Sequence, residues 1–460
     1  MITAPKTRYL IVSAFLLQIV FNRAALAHLE TTKLFPSDAN AGDNSGISVA
    51  IYGNTAVVGA YKNDSNGSDC GAAYVYEPGD SQWIKKQKLV PSDGSANDQF
   101  GRSVAIEGNT IVVGSYYDDG TGSAYVFARL GSVWTQQQKL IAPDAASGDR
   151  FGCSAAIDNN IIVIGAYGDD SQTGSAYVFT RTGSTWSFQQ KLSDAQPGDN
   201  FGYSVAIDNN TIIIGAPNHS HSEFDYAGSA YVFTRSGQSW SQQAVLWASD
   251  PAYRDHFGFS VALDGNSAVI GAYEGGVDVI TKAGAAYAFA KTDTGWVEQQ
   301  KLFDGSDPCS GEDFGWSVAI KNDTILVGCP YDFVNGNMTG SVFEFVRTGL
   351  TWGQSDRLTA GDANTNDEFG KSVALAGRHI VIGAPYNYNN GKSSGSAYLF
   401  DNFPGDLDAD GDVDFFDFAV LAGHWRQNNP LADIAPAPAG DRVVDIKDLA
   451  VLCYNWLAGK

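Results

Sequence analysis

The chain predicts an all-β fold, a seven-bladed β-propeller, followed by a small α-helical, EF-hand-like module. Three observations predict it. The first is a unit of four short apolar runs, clearest between Phe201 and Leu246 as YSVAI, TIIIGA, SAYVF and WSQQAVL. Runs of this length, rich in β-branched and aromatic side chains and ended by Gly, Asn, Asp or Ser, read as the strands of an antiparallel meander. The second is recurrence. An FG pair opens at Phe100, Phe151, Phe201, Phe257, Phe314 and Phe369, with a degenerate copy at Ser45-Gly46. A GSAYVF-like element starts at Gly71, Gly122, Gly174, Gly228, Gly284, Gly340 and Gly395. A period of roughly 50 residues with four strands per unit is that of a propeller blade. The third is an offset at the ends. Units close on a KL strand (Lys88-Leu89, Lys139-Leu140, Lys191-Leu192), yet the earliest pair, Lys33-Leu34, precedes the first unit, and the last unit stops at Phe400 without one. The N-terminal strand is therefore expected to complete the last blade, which removes the open edges of a linear array.

In chain order, residues 1–27 read as an export signal. Lys6 and Arg8 form a basic start, Tyr9 to Phe21 an apolar stretch, and Ala25-Leu26-Ala27 a small-residue cleavage site. Cleavage before His28 leaves no membrane insertion; an uncleaved anchor is the alternative. The formal charge of -22 excludes nucleic acid, whose phosphates need Lys and Arg, and an anionic membrane surface. The five cysteines (Cys70, Cys153, Cys309, Cys329 and Cys453) make no disulfide framework. Cys153 and Cys329 fall at strand positions and read as small core residues, while a Cys70–Cys309 bridge stays open.

Within a blade, Asn209-Asn210 is a tight hairpin joint, since Asn tolerates positive φ. The Gly-Ala step (Gly59, Gly165, Gly215, Gly271, Gly383) reads as a close approach of backbones. The Trp that opens the fourth strand (Trp83, Trp134, Trp186, Trp240, Trp296, Trp352) reads as packing between blades. A lectin-like platform is the rival reading. An acid two places before the FG Phe also recurs, at Asp43, Asp98, Asp149, Asp199, Asp255, Glu312 and Asp367. It reads either as an acceptor for loop N–H groups or as part of a ring of cation ligands.

What differs between blades is where function is sought. The loops before FG and after Gly-Ala share one end of the blades, and binding resides on such loops. They carry Tyr116-Tyr117-Asp118-Asp119, Asp169-Asp170, Tyr331-Asp332-Phe333 and Tyr386-Asn387-Tyr388. The most singular loop runs from His219 to Tyr226; His219, His221 and His256 are a candidate metal triad, with Asp225 or Glu223 as a fourth ligand. No catalytic constellation stands out, and the fold alone excludes no chemistry.

The combination of FG, SVAI, GAP/GAY and GSAYVF over residues 31–400 resembles the FG-GAP repeat family, related to the propeller of integrin α-subunits. That resemblance implies adhesion or ligand binding by the loop face. The calcium loop often found between the first two strands of integrin-type blades is replaced here by short turns such as IDNNT.

After a short joint (401–404), residues 405–460 change character. In GDLDADGDVDFFDF, Asp406, Asp408 and Asp410 take positions 1, 3 and 5 of an EF-hand-type loop, Gly411 position 6, Asp412 position 7 through its carbonyl, Asp414 position 9 and Asp417 position 12. The cofactor expected is calcium. The following helix, FDFAVLAGHW, reappears as KDLAVLCYNW, and this duplication resembles type I dockerin modules, which implies docking to a cohesin-like domain. The second loop keeps Asp441, Asp445 and Asp448 but has Ala437, Ala439 and Arg442 at ligand or Gly positions. The domain plan is thus 1–27 signal, 28–400 propeller and 405–460 dockerin-like module. The function expected is that of a secreted or cell-surface binding protein, its propeller engaging a polysaccharide or a protein. The rivals are a polysaccharide hydrolase carrying a dockerin and a purely structural extracellular component.

Overall fold

The computed structural model describes residues 28–79, 82–221, 224–276, 283–305, 311–389 and 391–401. Residues 1–27, expected to be an export signal, residues 405–460, expected to be a dockerin-like calcium module, and Glu223, Cys309 and Cys453 lie outside the described residues.

Seven four-stranded antiparallel sheets are arranged around one axis. Blade 1 spans residues 48–89, blade 2 100–140, blade 3 154–192, blade 4 204–246, blade 5 260–302 and blade 6 317–358. Blade 7 is built from the strands Ser372–Ala376, His379–Ala384 and Ser396–Asp401, and its fourth strand is Leu29–Leu34 from the other end of the chain. Lys33 stands opposite Tyr398 and Leu34 opposite Ala397, so the offset KL pair fills the place that KL fills in blades 1 to 3.

The SVAI strands are innermost, since each touches the SVAI strand of the next blade around a full circle. The second strands, such as TIIIGA, are buried along their whole length because sheets flank them on both faces. Hydrophobic clusters straddle blades: Trp240 of blade 4 packs with Val163 and Val178 of blade 3. The recurring Trp side chains are buried between blades, with Trp296 half-buried, as the packing reading expected.

Two hydrogen-bond rings fix the spacing. Near the axis, the Ser of each FG-x-S donates to the FG Gly carbonyl of the next blade: Ser48 to Gly101, Ser103 to Gly152, Ser154 to Gly202, Ser204 to Gly258, Ser260 to Gly315, Ser317 to Gly370, and Ser372 back to Gly46, all at 2.8–2.9 Å. The last of these closes the circle. At the rim, Gln87 holds the Trp134 backbone at both N–H and C=O (2.8 and 2.6 Å), and Gln138–Trp186, Gln190–Trp240 and Gln300–Trp352 repeat the clamp. The inner approach explains the Gly of Gly-Ala. A Cβ on Gly215 would lie 1.9 Å from the Gly258 carbonyl oxygen of blade 5, which backbone cannot yield without parting the blades.

Candidate functional site

The axis is lined by the first strands, and each begins just after FG. In FG-x-S the Gly carbonyl and the Ser hydroxyl are consumed by the inner ring. The FG Gly carries a positive φ of 86–94° in every blade, a turn just ahead of the strand, and the residue x that follows it lines the channel. Those residues are Ile47, Arg102, Cys153, Tyr203, Phe259, Trp316 and Lys371, one from each blade, and all of them line a single cavity of about 230 Å³ with Tyr116 and Tyr167. The Tyr residues follow the Gly-Ser or Gly-Ala step, which places the cavity at the end of the channel where the long loops gather. Backbone bonds such as Tyr117 N–H to the Asp98 carbonyl and Asn218 N–H to the Asp199 carbonyl tie the two kinds of loop together at that end.

The lining is asymmetric. Blades 3 to 6 form an aromatic arc: the Tyr167 and Tyr203 rings are 5.5 Å apart, Tyr203 and Phe259 4.9 Å, and Phe259 and Trp316 4.7 Å. Tyr273 packs on both Phe259 and Trp316. Blades 7 and 2 supply cations on either side of Ile47. The Lys371 ammonium lies 3.6 Å from the Trp316 ring centre, donates to the Tyr331 hydroxyl at 3.2 Å and pairs with Glu368 at 2.7 Å. Burial holds this ammonium below its ordinary pKa, against the opposing pull of Glu368. The Arg102 guanidinium faces the Tyr116 ring at 5.7 Å, and on the adjoining loop Arg150 lies over Tyr117 at 3.9 Å. Among the described residues, neither arginine has a carboxylate in ion-pair range.

The loop acids expected to form an acidic face divide: Asp119 and Asp170 are exposed, whereas three others are turned inward. Asp118, Asp169 and Asp332 are buried. Asp118 accepts from the Tyr125 hydroxyl at 2.8 Å and pairs with Lys139 at 2.7 Å; Asp169 does the same with Tyr177 (3.1 Å) and Lys191 (2.6 Å); Asp332 pairs with Arg357 at 2.5 Å. A second acid, from the connector leading into each of blades 1, 3, 5 and 7, joins the Lys and Tyr of that blade. Asp38 meets Lys88 and Tyr74, Asp144 meets Lys191 and Tyr177, Asp250 meets Lys301 and Tyr287, and Asp362 meets Lys33 and Tyr398. These are latches within a blade, which also fasten the connector that enters it, and composition alone misread part of them as exposed surface.

The recurring acid before FG takes the acceptor role. Asp43, Asp98, Asp149, Asp199, Asp255 and Asp367 each accept the backbone N–H three residues earlier, at 2.6–2.9 Å. Burial pushes the carboxyl pKa up at Asp43, Asp98, Asp149, Asp255 and Asp367.

Of the candidate histidines, His219 and His221 both pack on Trp247, at 5.4 and 4.4 Å, and His256 lies on another partner. His219 Nδ1 lies 2.7 Å from Asp199 Oδ2, and His256 stacks on Tyr273 at 5.2 Å and meets the Pro217 carbonyl through Nδ1 at 3.1 Å. Among the described residues no group of His, Cys, Asp and Glu is gathered for a metal ion. Cys329 is core, as expected, whereas Cys153 is half-buried and lines the axial cavity, because it occupies the x position of blade 3.

The FG-GAP repeat profile matches residues 29–76, 83–127, 134–179, 186–233, 240–289, 296–345 and 352–400. The chain belongs to the FG-GAP repeat family. Each match begins in the fourth strand of one blade and ends in the third strand of the next, so the FG-GAP unit is offset from the blade by one strand, which is the sequence image of the circular closure. The comparison with curated proteins returns no match. No helix among the described residues is long and apolar enough to cross a membrane.

The cup at the channel mouth was missed in the sequence although a signal was there. The residue between FG and Ser is different in every blade, inside the most regular motif of the chain.

Proposed function

We propose that this FG-GAP propeller is an exported, non-catalytic binding protein whose loop face, centred on the channel mouth, engages a polysaccharide or a protein. The observation that carries this is the axial cup. Seven different side chains replace one another at the single position that the repeat points at the axis, while the positions that hold the blades together stay nearly constant. A scaffold alone has no use for such variation, and a concave aromatic lining edged by a guanidinium and an ammonium suits ligand capture. The polysaccharide-hydrolase reading has less support. Hydrolysis of this kind needs two carboxylates flanking a bond, and the buried loop acids Asp118, Asp169 and Asp332 are occupied by Lys, Tyr or Arg partners.

The tail completes the proposal. Asp406, Asp408, Asp410, Asp412, Asp414 and Asp417 bind calcium in the first loop, Asp441, Asp445 and Asp448 contribute to a weaker second one, and the calcium-loaded helices dock to a cohesin-like partner. Calcium takes six to eight oxygen ligands, and the first loop supplies that number with Gly411 at its turn.

The test is a polysaccharide and glycan array on the full mature chain, run beside a hydrolysis screen. Binding without turnover is the expected result; turnover that a single loop carboxylate change abolishes contradicts it. For the tail, Asp408→Ala with Asp410→Ala is expected to lower calcium affinity and to leave the propeller's melting transition where it was. Calorimetry with and without EDTA reads both, and a tail transition indifferent to EDTA contradicts the calcium assignment.

A further inference from the structure

We infer that the axial cup selects a carboxylated sugar ring, of the uronic acid kind, at the end of a glycan chain. The inference rests on the proposed binding function and names the ligand class of its central site. Size is the first argument. A cavity of about 230 Å³ falls below the roughly 300–1,000 Å³ of pockets that enclose drug-sized ligands, so it admits one ring, an end rather than a run of units. The second argument is the wall. Tyr203 and Phe259 stand 4.9 Å apart, backed by Tyr273, with Trp316 beyond them under the Lys371 ammonium; against the Tyr203 and Phe259 rings the C–H face of a pyranose packs while its hydroxyls reach the open side.

Charge gives the third argument and decides the class. The chain holds 51 acidic and 29 basic side chains, so a cation without an acid beside it is not a matter of supply. Lys371 is compensated by Glu368 at 2.7 Å. Among the described residues, Arg102, across Ile47 in the same lining, has no carboxylate in ion-pair range and faces the Tyr116 ring at 5.7 Å. A partly enclosed guanidinium without an anion is unfavourable, and its planar fork matches a carboxylate bidentately. Glu368 sets the upper limit on ligand charge. One uncompensated cation beside a resident carboxylate suits a monoanion, whereas a phosphate dianion meets repulsion. A neutral sugar leaves Arg102 as it is, and a short acidic peptide side chain does not cover the aromatic arc.

Isothermal titration of the full mature chain with D-glucuronate, D-glucose, glucose 6-phosphate and N-acetylglutamate tests this. Glucuronate is expected to bind more tightly than each of the others, by about tenfold over glucose, the usual weight of a charge-assisted hydrogen-bond pair. Equal affinity for glucose and glucuronate, or a preference for the phosphate or the amino acid derivative, overturns it. Arg102→Gln is expected to bring glucuronate down to the glucose level with an unchanged melting midpoint; an unaltered glucuronate affinity in that variant also overturns it. Should the variant fail to fold, the ranking of the four ligands on the parent chain still decides. A chain that captures only neutral glycans on the array contradicts this inference and leaves the binding function intact, whereas a blank array removes both.

Discussion

The latches that fasten each blade to its entering connector and the cup at the axis are made from the same repeat and treat it in opposite ways. At the latches, Tyr125, Tyr177, Tyr287 and Tyr398 meet aspartates alongside Lys139, Lys191, Lys301 and Lys33, one blade after another. At the axis the corresponding residues are Ile, Arg, Cys, Tyr, Phe, Trp and Lys. The difference is physical. A latch must satisfy the same donors and acceptors in each copy, so its chemistry is fixed by geometry that the repeat imposes. The axial position faces the channel and makes different contacts in different blades (Lys371 with Glu368, Arg102 with Tyr116, Phe259 with Tyr273), so the repeat does not dictate its identity. Blade 4 shows the boundary between these regimes. It has Val245 where its neighbours carry Lys, and there His219 takes the Asp199 carboxylate with the Tyr231 hydroxyl 3.5 Å away.

The sharpest way to break the comparison is at the inner approach. Gly215→Ala places a methyl group 1.9 Å from the Gly258 carbonyl oxygen. Overpacking typically costs about 1–3 kcal/mol and occasionally more; because the neighbour here is backbone, this substitution is expected at or above the top of that range. Urea unfolding measures it, and a loss under about 1 kcal/mol means that the blades slide apart easily.

Next in size is a latch. Lys191→Met leaves Asp169, 3% exposed, without its cation at 2.6 Å. The expected loss is about 2 kcal/mol, the scale for stranding a buried charged group that keeps one hydrogen bond. Lys191→Arg is expected to recover part of it.

Acid titration separates two sets of carboxylates. Burial raises the pKa of Asp38, Asp93, Asp144 and Asp362, but hydrogen bonds to latch lysines (and, at Asp93, Asp144 and Asp362, to tyrosines) outweigh it and set each below the ordinary value, Asp38 at about 2. Their contribution is present above the unfolded value, about 3.9, and is lost as pH falls through the folded ones. The buried loop acceptors Asp43, Asp98, Asp149, Asp255 and Asp367 have raised values, chiefly from burial. They stabilise fully below the unfolded value, and that part is lost as pH rises through the folded one. Stability is therefore expected to rise on mild acidification and to fall again below about pH 4. Chemical denaturation across pH checks it. Asp98→Asn should flatten the upper limb, and a monotonic curve contradicts the division into two sets.

The smallest effect is expected from Asp119→Asn. That side chain is 83% exposed and 3.6 Å from Lys139, which has nearer partners in Asp93 and Asp118. A change within about 0.5 kcal/mol is expected in the same urea assay, as for surface positions generally.

Blade number, strand order and closure were legible in the sequence because each has a long-range signature: the period, the order of apolar runs and the displaced Lys33-Leu34 pair. Buried Trp and Gly-Ala steps were legible because a repeat exposes its constant positions. The cup was not, since convergence on an axis is a property of the closed circle and Arg102, Phe259 and Lys371 are far apart in the chain. Asp118 and Asp169 were misread for a related reason. In sequence they sit among turn residues, and only the neighbouring Lys and Tyr of the same blade turn them inward.

The most direct test of the division between holding and contacting positions is a paired measurement on Trp316→Leu and Lys191→Met, each assayed by scanning calorimetry and on the same glycan array. Trp316→Leu is predicted to lose array binding with only a modest drop in melting temperature from its lost packing, while Lys191→Met melts earlier still and keeps the binding of its folded fraction. A loss of stability as large as that of Lys191→Met, with retained binding, in Trp316→Leu would contradict the account.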